Sequence, residues 1–128
     1  MSEDIVTGAQ CRPNFSAAGR RRRTRVAQVG AVLTIAGLAA VIALDAAWPW
    51  RLLVALPAGM ALVSGLQVRR NTCVAHAATG VFENEDMTTT KVEEEFAAAS
   101  RRVAATIWRD SVIGMALVAA LSVATAFV

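Results

Sequence analysis

Three long apolar runs alternate with polar segments along this chain. The runs cover residues 26–44, 52–68 and 111–128, and none of them contains Asp, Glu, Lys, Arg or His. At about 1.5 Å per residue, a helix over each run would match the roughly 30 Å of hydrocarbon in a bilayer. Peptide groups in lipid must be satisfied internally, and the alternating pattern of barrel strands is absent. The pattern therefore predicts three transmembrane helices.

The first two runs are close enough in sequence to form a helical hairpin. Pro49 lies between them and is expected to break the helix, while Trp48 and Trp50 suit an interfacial aromatic belt. The predicted fold class is all-α, an integral membrane protein with three transmembrane helices. The first two helices form a hairpin and the third is a C-terminal span, and a cytoplasmic amphipathic helix lies between the hairpin and that span.

The amphipathic helix is predicted from the polar segment before the third run. Thr90 and Glu93 have the spacing of a capping box, which indicates a helix over residues 88–110 that can continue into the third run. Apolar residues recur along this segment at helical spacing. Four of them are candidate partner-binding residues, namely Val92, Phe96, Val103 and Ile107.

These patterns divide the chain into four parts. Residues 1–25 are predicted to be a flexible basic tail and 26–68 a transmembrane hairpin. Residues 69–110 are predicted to be a cytoplasmic segment that contains the amphipathic helix, and 111–128 a C-terminal transmembrane helix.

Positive charge is distributed unevenly about the predicted spans. Of the 13 Lys and Arg residues, only Arg51 lies between the first two runs; the others precede the first run or separate the second from the third. Because positively charged flanks resist translocation, the N-terminus and residues 69–110 should be cytoplasmic and the C-terminus on the opposite side. Residues 26–44 could instead belong to a cleaved signal, but their length and the lack of a clear small-x-small site favour a retained span.

Composition excludes several classes of function. The chain of 128 residues is 55% hydrophobic, which is more apolar than soluble domains of this size usually are. The lack of ionisable residues within the apolar runs argues against a stand-alone transporter or an intramembrane enzyme. We therefore predict a protein that is not an enzyme and has no catalytic residue, cofactor or metal.

Small residues recur at spacing four within the second and third runs. They are Ala55 with Gly59, Ala61 with Gly65, and the stripe Ala116, Ala120 and Ala124. Such faces let helices approach closely, so they predict a protein partner or a homo-oligomer in the bilayer. In an alanine-rich chain the same spacing also arises by chance.

The polar segment after the second run carries a candidate thiol, Cys73, three residues before His76, the only histidine. The pair could face one metal ion, but a structural site generally has four ligands, and the other cysteine, Cys11, lies in the predicted tail. Arg69 and Arg70 would favour a reactive thiolate. The alternative is that Cys73 is a small apolar residue at the interface and His76 a polar surface residue.

The same segment carries a resemblance to a known family. Arginines before a short span, a helical hairpin and the stretch "NTCVAHAATG", with Cys73 and Gly80, resemble a small bacterial inner-membrane domain of unknown function that occurs alone or fused to rhodanese sulfurtransferases. The resemblance covers about residues 20–80, and Asn71 and Val74 replace the Gly and Pro of the family pattern. It implies a sulfur-handling or accessory role in which Cys73 is the thiol.

A run of arginines before the first span could bind anionic lipid or nucleic acid. Its members are Arg20, Arg21, Arg22, Arg23 and Arg25. No aromatic or base-reading residues are interleaved, so the run favours a membrane-surface or topological role over nucleic acid.

Three hypotheses follow from these features. The leading one is a small non-catalytic protein of the bacterial inner membrane that acts as an accessory or structural subunit of a complex or homo-oligomer. The alternatives are a thiol-dependent sulfur or redox accessory that uses Cys73, and a tether that binds anionic lipid or nucleic acid through the arginine run.

Overall fold

The chain folds mainly into helices, which the computed structural model describes over residues 13–128. The helices are α1 (Ala17–Ala43), α2 (Trp48–Arg51), α3 (Ala55–Arg69), α4 (Val74–Thr79) and α5 (Glu94–Ala124), with 3₁₀ turns at Leu52–Val54 and Thr125–Phe127. Two short strands, β1 (Val81–Glu83) and β2 (Thr89–Lys91), pair antiparallel between α4 and α5.

Three helical segments are long and apolar enough to cross a membrane. They are Ala17–Ala43, Trp48–Arg69 and Glu94–Phe127. The sequence prediction of a mainly helical protein with three such segments is confirmed at this level. The segments are longer than the apolar runs, because α1 begins before the arginine run and α5 is continuous from the polar segment into the third run.

Helix α3 lies in the middle, and the outer helices α1 and α5 both pack on it. Gly30 of α1 lies directly on α3, since a Cβ atom there would be only 2.8 Å from the backbone nitrogen of Ala61. On the other side of α3, Gly59 meets the side chain of Met115, and Gly114 of α5 meets Leu62. The small residues of α3 thus serve contacts within the chain.

The close approach at Gly30 leads to a prediction. Gly30→Ala should push α1 and α3 apart and lower the free energy of unfolding by about 1 to 3 kcal/mol, the usual cost of overpacking. Gly37→Ala is the matched control, because a Cβ at Gly37 would lie 3.8 Å from Val54 Cγ2 in ordinary contact. The measurement is the thermal unfolding midpoint in detergent, and equal midpoints for the two variants would contradict the tight contact.

The turn between the first two spans differs from the prediction. The chain turns at Asp45, whose φ is 48°, while Pro49 lies inside the first turn of α2. A proline is tolerated there because the first N–H groups of a helix have no intrahelical acceptor. Pro57 lies near the start of α3, after the 3₁₀ turn at Leu52–Val54. Its missing N–H weakens a regular α-helix at this point, which accounts for the 3₁₀ turn.

The predicted helix over residues 88–110 is wrong at its start. Thr90 lies in β2, opposite Phe82, so the capping box with Glu93 does not form, and α5 begins at Glu94. Side-chain bonds from the Asn84 amide to Thr88 and Thr90 hold the hairpin. These local hydrogen bonds therefore stabilise a hairpin where the sequence pattern predicted the start of a helix.

The predicted tail is also shorter than expected. Residues 13–25 are ordered: Asn14, Phe15 and Ser16 are buried, and Ser16 caps α1 by accepting a hydrogen bond from the Gly19 N–H. The rest of the predicted tail, residues 1–12, lies outside the described residues, and Cys11 with it.

Candidate functional site

A small polar head covers the arginine-rich end of the helices. It consists of residues 13–16 and 71–93. Its centre is Asn14, which is 1% exposed. The Asn14 side-chain amide donates to the carbonyl of Cys73 at 3.0 Å and its oxygen accepts from the Cys73 N–H at 2.6 Å. The Asn14 backbone adds bonds to Asn71 and Glu83. One asparagine thus joins the start of the chain to the segment after α3.

The head also holds a carboxylate, Glu83, that is almost completely surrounded. Its Oε2 atom lies 2.6 Å from Arg22 and 3.4 Å from Arg23, and its Oε1 atom lies 3.9 Å from His76 Nε2. The carboxylate lies over the first turn of α1, where Gly19 leaves it room; a Cβ there would be 2.0 Å from Oε2. The positive end of the helix dipole adds to the attraction of the arginines. Glu83 therefore joins β1 to α1.

Three residues of the arginine run have partners inside the chain. Arg22 and Arg23 bind Glu83, and Arg23 also lies over the Phe15 ring, 4.6 Å from its centroid. Arg20 donates to the Asn71 side chain at 2.7 Å. Arg21 and Arg25 are exposed at the surface of α1. Arg22 and Arg23 are thus bound to Glu83, and a membrane-surface role of the run stays a prediction.

The candidate thiol is packed into the head. Cys73 is 5% exposed and stands at the N-cap of α4, where Asn14 binds its backbone. Arg70, which was expected to favour its thiolate, instead binds Asp110 and Thr106 of α5. Gly80 ends α4 with φ 68°, a left-handed conformation that suits glycine. The geometry around Cys73 favours the structural alternative for this residue.

His76 is a half-buried titratable residue of the head, and its pKa is shifted. Burial lowers its pKa from the ordinary value of 6.5, the Glu83 carboxylate opposes that change, and Arg23 adds to it. Its Nδ1 atom is buried and has no hydrogen-bond partner among the described residues. The fold therefore favours the neutral imidazole.

This environment predicts a pH dependence. Because the pKa of His76 is lower in the fold than in the unfolded chain, its contribution to stability is complete above about pH 6.5 and is lost as the pH falls toward the lowered value. The thermal unfolding midpoint should therefore drop more between pH 7.5 and pH 5.5 in the parent than in His76→Gln, which cannot titrate. Identical pH profiles for the two proteins would contradict this origin.

The four residues predicted to bind a partner lie mostly inside the chain. Phe96 is 3% exposed and Ile107 is 0% exposed, while Val92 and Val103 are half-buried. Helices α4 and α3 pack on one side of α5, and the side chains of Phe96 and Ile107 are buried within the chain. Partner binding through Val92 and Val103 stays a prediction.

A second polar connection, absent from the sequence prediction, lies at the opposite end of the helices. Arg51 is 2% exposed; its Nε donates to the Ala46 carbonyl at 2.8 Å and its Nη1 to the Thr125 hydroxyl at 2.6 Å. The Ser122 hydroxyl donates to the Arg51 carbonyl at 2.8 Å. The sequence contained one signal for this connection: Arg51 stands alone between two apolar runs, and a lone arginine beside a membrane span needs a partner.

Within residues 13–128, no group of three His, Cys, Asp or Glu side chains is placed to hold a metal ion. Ser16 was the missed signal for the polar head, because a serine before Ala17 and Ala18 is a good N-cap and indicates that α1 starts early.

Comparison with models of known families, with curated proteins and with solved structures gave no match to this chain.

Proposed function

We propose that this protein is a small non-catalytic subunit of a homo-oligomer or a larger membrane complex. The observation that carries the proposal is the outer face of α5. Ala116, Ala120 and Ala124 are all exposed there at spacing four, in contrast to the small residues of α3, which are used inside the chain.

The physical reason concerns how helices associate in lipid. Apolar surface alone gives little drive for association there, because lipid tails are as apolar as the side chains. Small residues act differently, since they let two helix backbones come close and gain van der Waals contact. The alanine stripe, flanked by the exposed side chains of Val112, Ile113 and Leu117, offers such a face.

The location is part of the same proposal. We place the polar head and the arginine-rich end of the helices on the cytoplasmic side of a bacterial inner membrane and the C-terminus on the opposite side. The support is the charge distribution: α1 begins and α3 ends at the head, so the Arg20–Arg25 run and Arg69 share one end of the helices.

Disulfide crosslinking between copies tests the alanine face. In a Cys11→Ser, Cys73→Ser background, Ala120→Cys would place one thiol at the centre of the stripe. Ala39→Cys is the matched control, because Ala39 is also an exposed alanine but lies on α1. Oxidation in native membranes should give a crosslinked dimer for Ala120→Cys and little for Ala39→Cys.

A heteromeric complex gives a different pattern in the same membranes. A second protein should then copurify with the parent in mild detergent and be lost from Ala120→Trp, and a disulfide to Ala120→Cys forms where that protein has a cysteine facing the stripe. A chain that is monomeric in mild detergent, forms no crosslink through Ala120→Cys and retains no second protein would overturn the subunit proposal.

A further inference from the structure

An apolar furrow runs along the outer side of the contact between α1 and α3. Its larger part, about 430 Å³, lies among α1, α3 and α5 and is lined by residues that include Thr34, Ala61 and Leu117. Its other part, about 270 Å³, lies toward the arginine-rich end and is lined by residues that include Gln28 and Gly65. Ala31 lines both parts, so the furrow is continuous.

The furrow has the length of one lipid leaflet. On α1 it extends from Thr24 to Ile35, which at about 1.5 Å per residue corresponds to about 16 Å. Half of a bilayer's hydrocarbon is about 15 Å thick. A single extended acyl chain of the leaflet nearest the arginines would therefore fill it from end to end.

The open end of the furrow is positively charged. Arg21 precedes Thr24 by one turn of α1, and Arg69 follows Gly65 by one turn of α3, so each extends one wall of the furrow beyond the apolar region. Both arginines are exposed, and neither forms a salt bridge with another residue of 13–128.

The pairing of the helices brings the two arginines together. The helices are antiparallel: Gly30 lies against Ala61, and one end of the contact is closed by the bond from Arg20 to Asn71. This register aligns residue 21 of α1 with residues 69–70 of α3, so Arg21 and Arg69 lie at the same end of the furrow. Gln28, exposed on the same wall, offers an amide N–H to a polar ester group.

We infer that this furrow is a binding site for one anionic phospholipid. An acyl chain lies along Ala31 and Gly65, and the phosphate is held by Arg21 and Arg69. A helix from a second copy would fill the apolar part equally, but it would leave the two arginines without an anion. Charge complementarity at the open end therefore favours the lipid. A monomer would bind it as well as an oligomer, so the site does not depend on the subunit role.

Lipid titration followed by native mass spectrometry tests the charged end. The purified full chain in detergent is titrated with dioleoyl phosphatidylglycerol and, separately, with dioleoyl phosphatidylcholine, which has the same acyl chains and no net charge. The parent should bind the first lipid more tightly. The double variant Arg21→Gln, Arg69→Gln should lose about fivefold in affinity for each arginine, about 25-fold together, and so lose the preference.

The matched control removes two other exposed arginines, Arg101→Gln with Arg102→Gln on α5, and should keep the preference of the parent. Ala31→Phe tests the apolar part, because the ring would occupy the furrow. Ala39→Phe adds the same ring to α1 away from the furrow and should bind phosphatidylglycerol as the parent does. The arginine variant keeps the site testable if Ala31→Phe is not recovered as a folded protein.

Three results would overturn the site. One is equal affinity of the parent for the two lipids. Another is unchanged phosphatidylglycerol binding by the Arg21, Arg69 variant. The third is a dimer in the parent that Ala31→Phe abolishes while lipid binding persists, which would assign the furrow to a second copy of the chain.

Discussion

Asn14→Ala should destabilise the polar head by about 1.5 to 4.5 kcal/mol. The substitution removes both side-chain bonds to the Cys73 backbone and leaves the buried Cys73 N–H without a partner, while the Cys73 carbonyl keeps its bond from the Ala77 N–H. An unpaired buried N–H costs about 1 to 3 kcal/mol, and the lost bond to the carbonyl about 0.5 to 1.5 kcal/mol. The loss should be local, because the contacts of α1 with α3 through Gly30 lie well outside the head.

Cys73 itself reports this local loss. In a Cys11→Ser background it is the remaining thiol, and its burial should make alkylation by a maleimide slow in the parent. Asn14→Ala should raise the alkylation rate by at least tenfold, as the head opens more often. Asn84→Ala is the matched control, because its side chain bonds only to exposed threonines of the hairpin. Slow alkylation in both variants would show that Asn14 does not hold the head together.

Arg51→Ala should lower the free energy of unfolding by about 2 to 4 kcal/mol, because it removes contacts at the end of the molecule opposite the polar head. The change removes bonds to Ala46 and Thr125 and leaves a cavity where the buried side chain was. Hydrogen bonds to a charged group contribute about 1.5 to 3 kcal/mol each, and relief of the arginine's desolvation offsets part of that.

The measurement is the thermal unfolding midpoint in detergent, with Arg109→Ala as the control. Arg109 pairs with its neighbour Asp110 and its side chain is 65% exposed, so its loss should leave the midpoint close to that of the parent. Arg51→Lys keeps the charge but cannot make both bonds at once, so its midpoint should lie between those of Arg51→Ala and the parent. An Arg51→Ala midpoint equal to that of the control would contradict the proposed role.

Part of the candidate site could be predicted from sequence and part could not. An apolar face on α5 was visible as a periodic pattern, and burial of Phe96 and Ile107 agrees with it. What that face contacts was not visible, because periodicity defines a side of a helix without naming the neighbour. The β-hairpin of β1 and β2 was missed, because strands of three residues are too short for their alternating pattern to be recognised beside the helical pattern that follows.

The sequence by itself determined the three apolar helical segments and their approximate ends. Hydrophobicity and length are local properties, and in lipid the backbone has few alternatives to a helix. Only the tertiary structure decided which polar residues meet. Asn14 and Cys73 are 59 residues apart, Arg22 and Glu83 are 61 apart, and Arg51 and Thr125 are 74 apart. Such partners depend on how α1, α3 and α5 are rotated and aligned against one another. The same rotation buried Gly59 of α3 against Met115 and left the alanines of α5 exposed, although both belong to sets of small residues at spacing four.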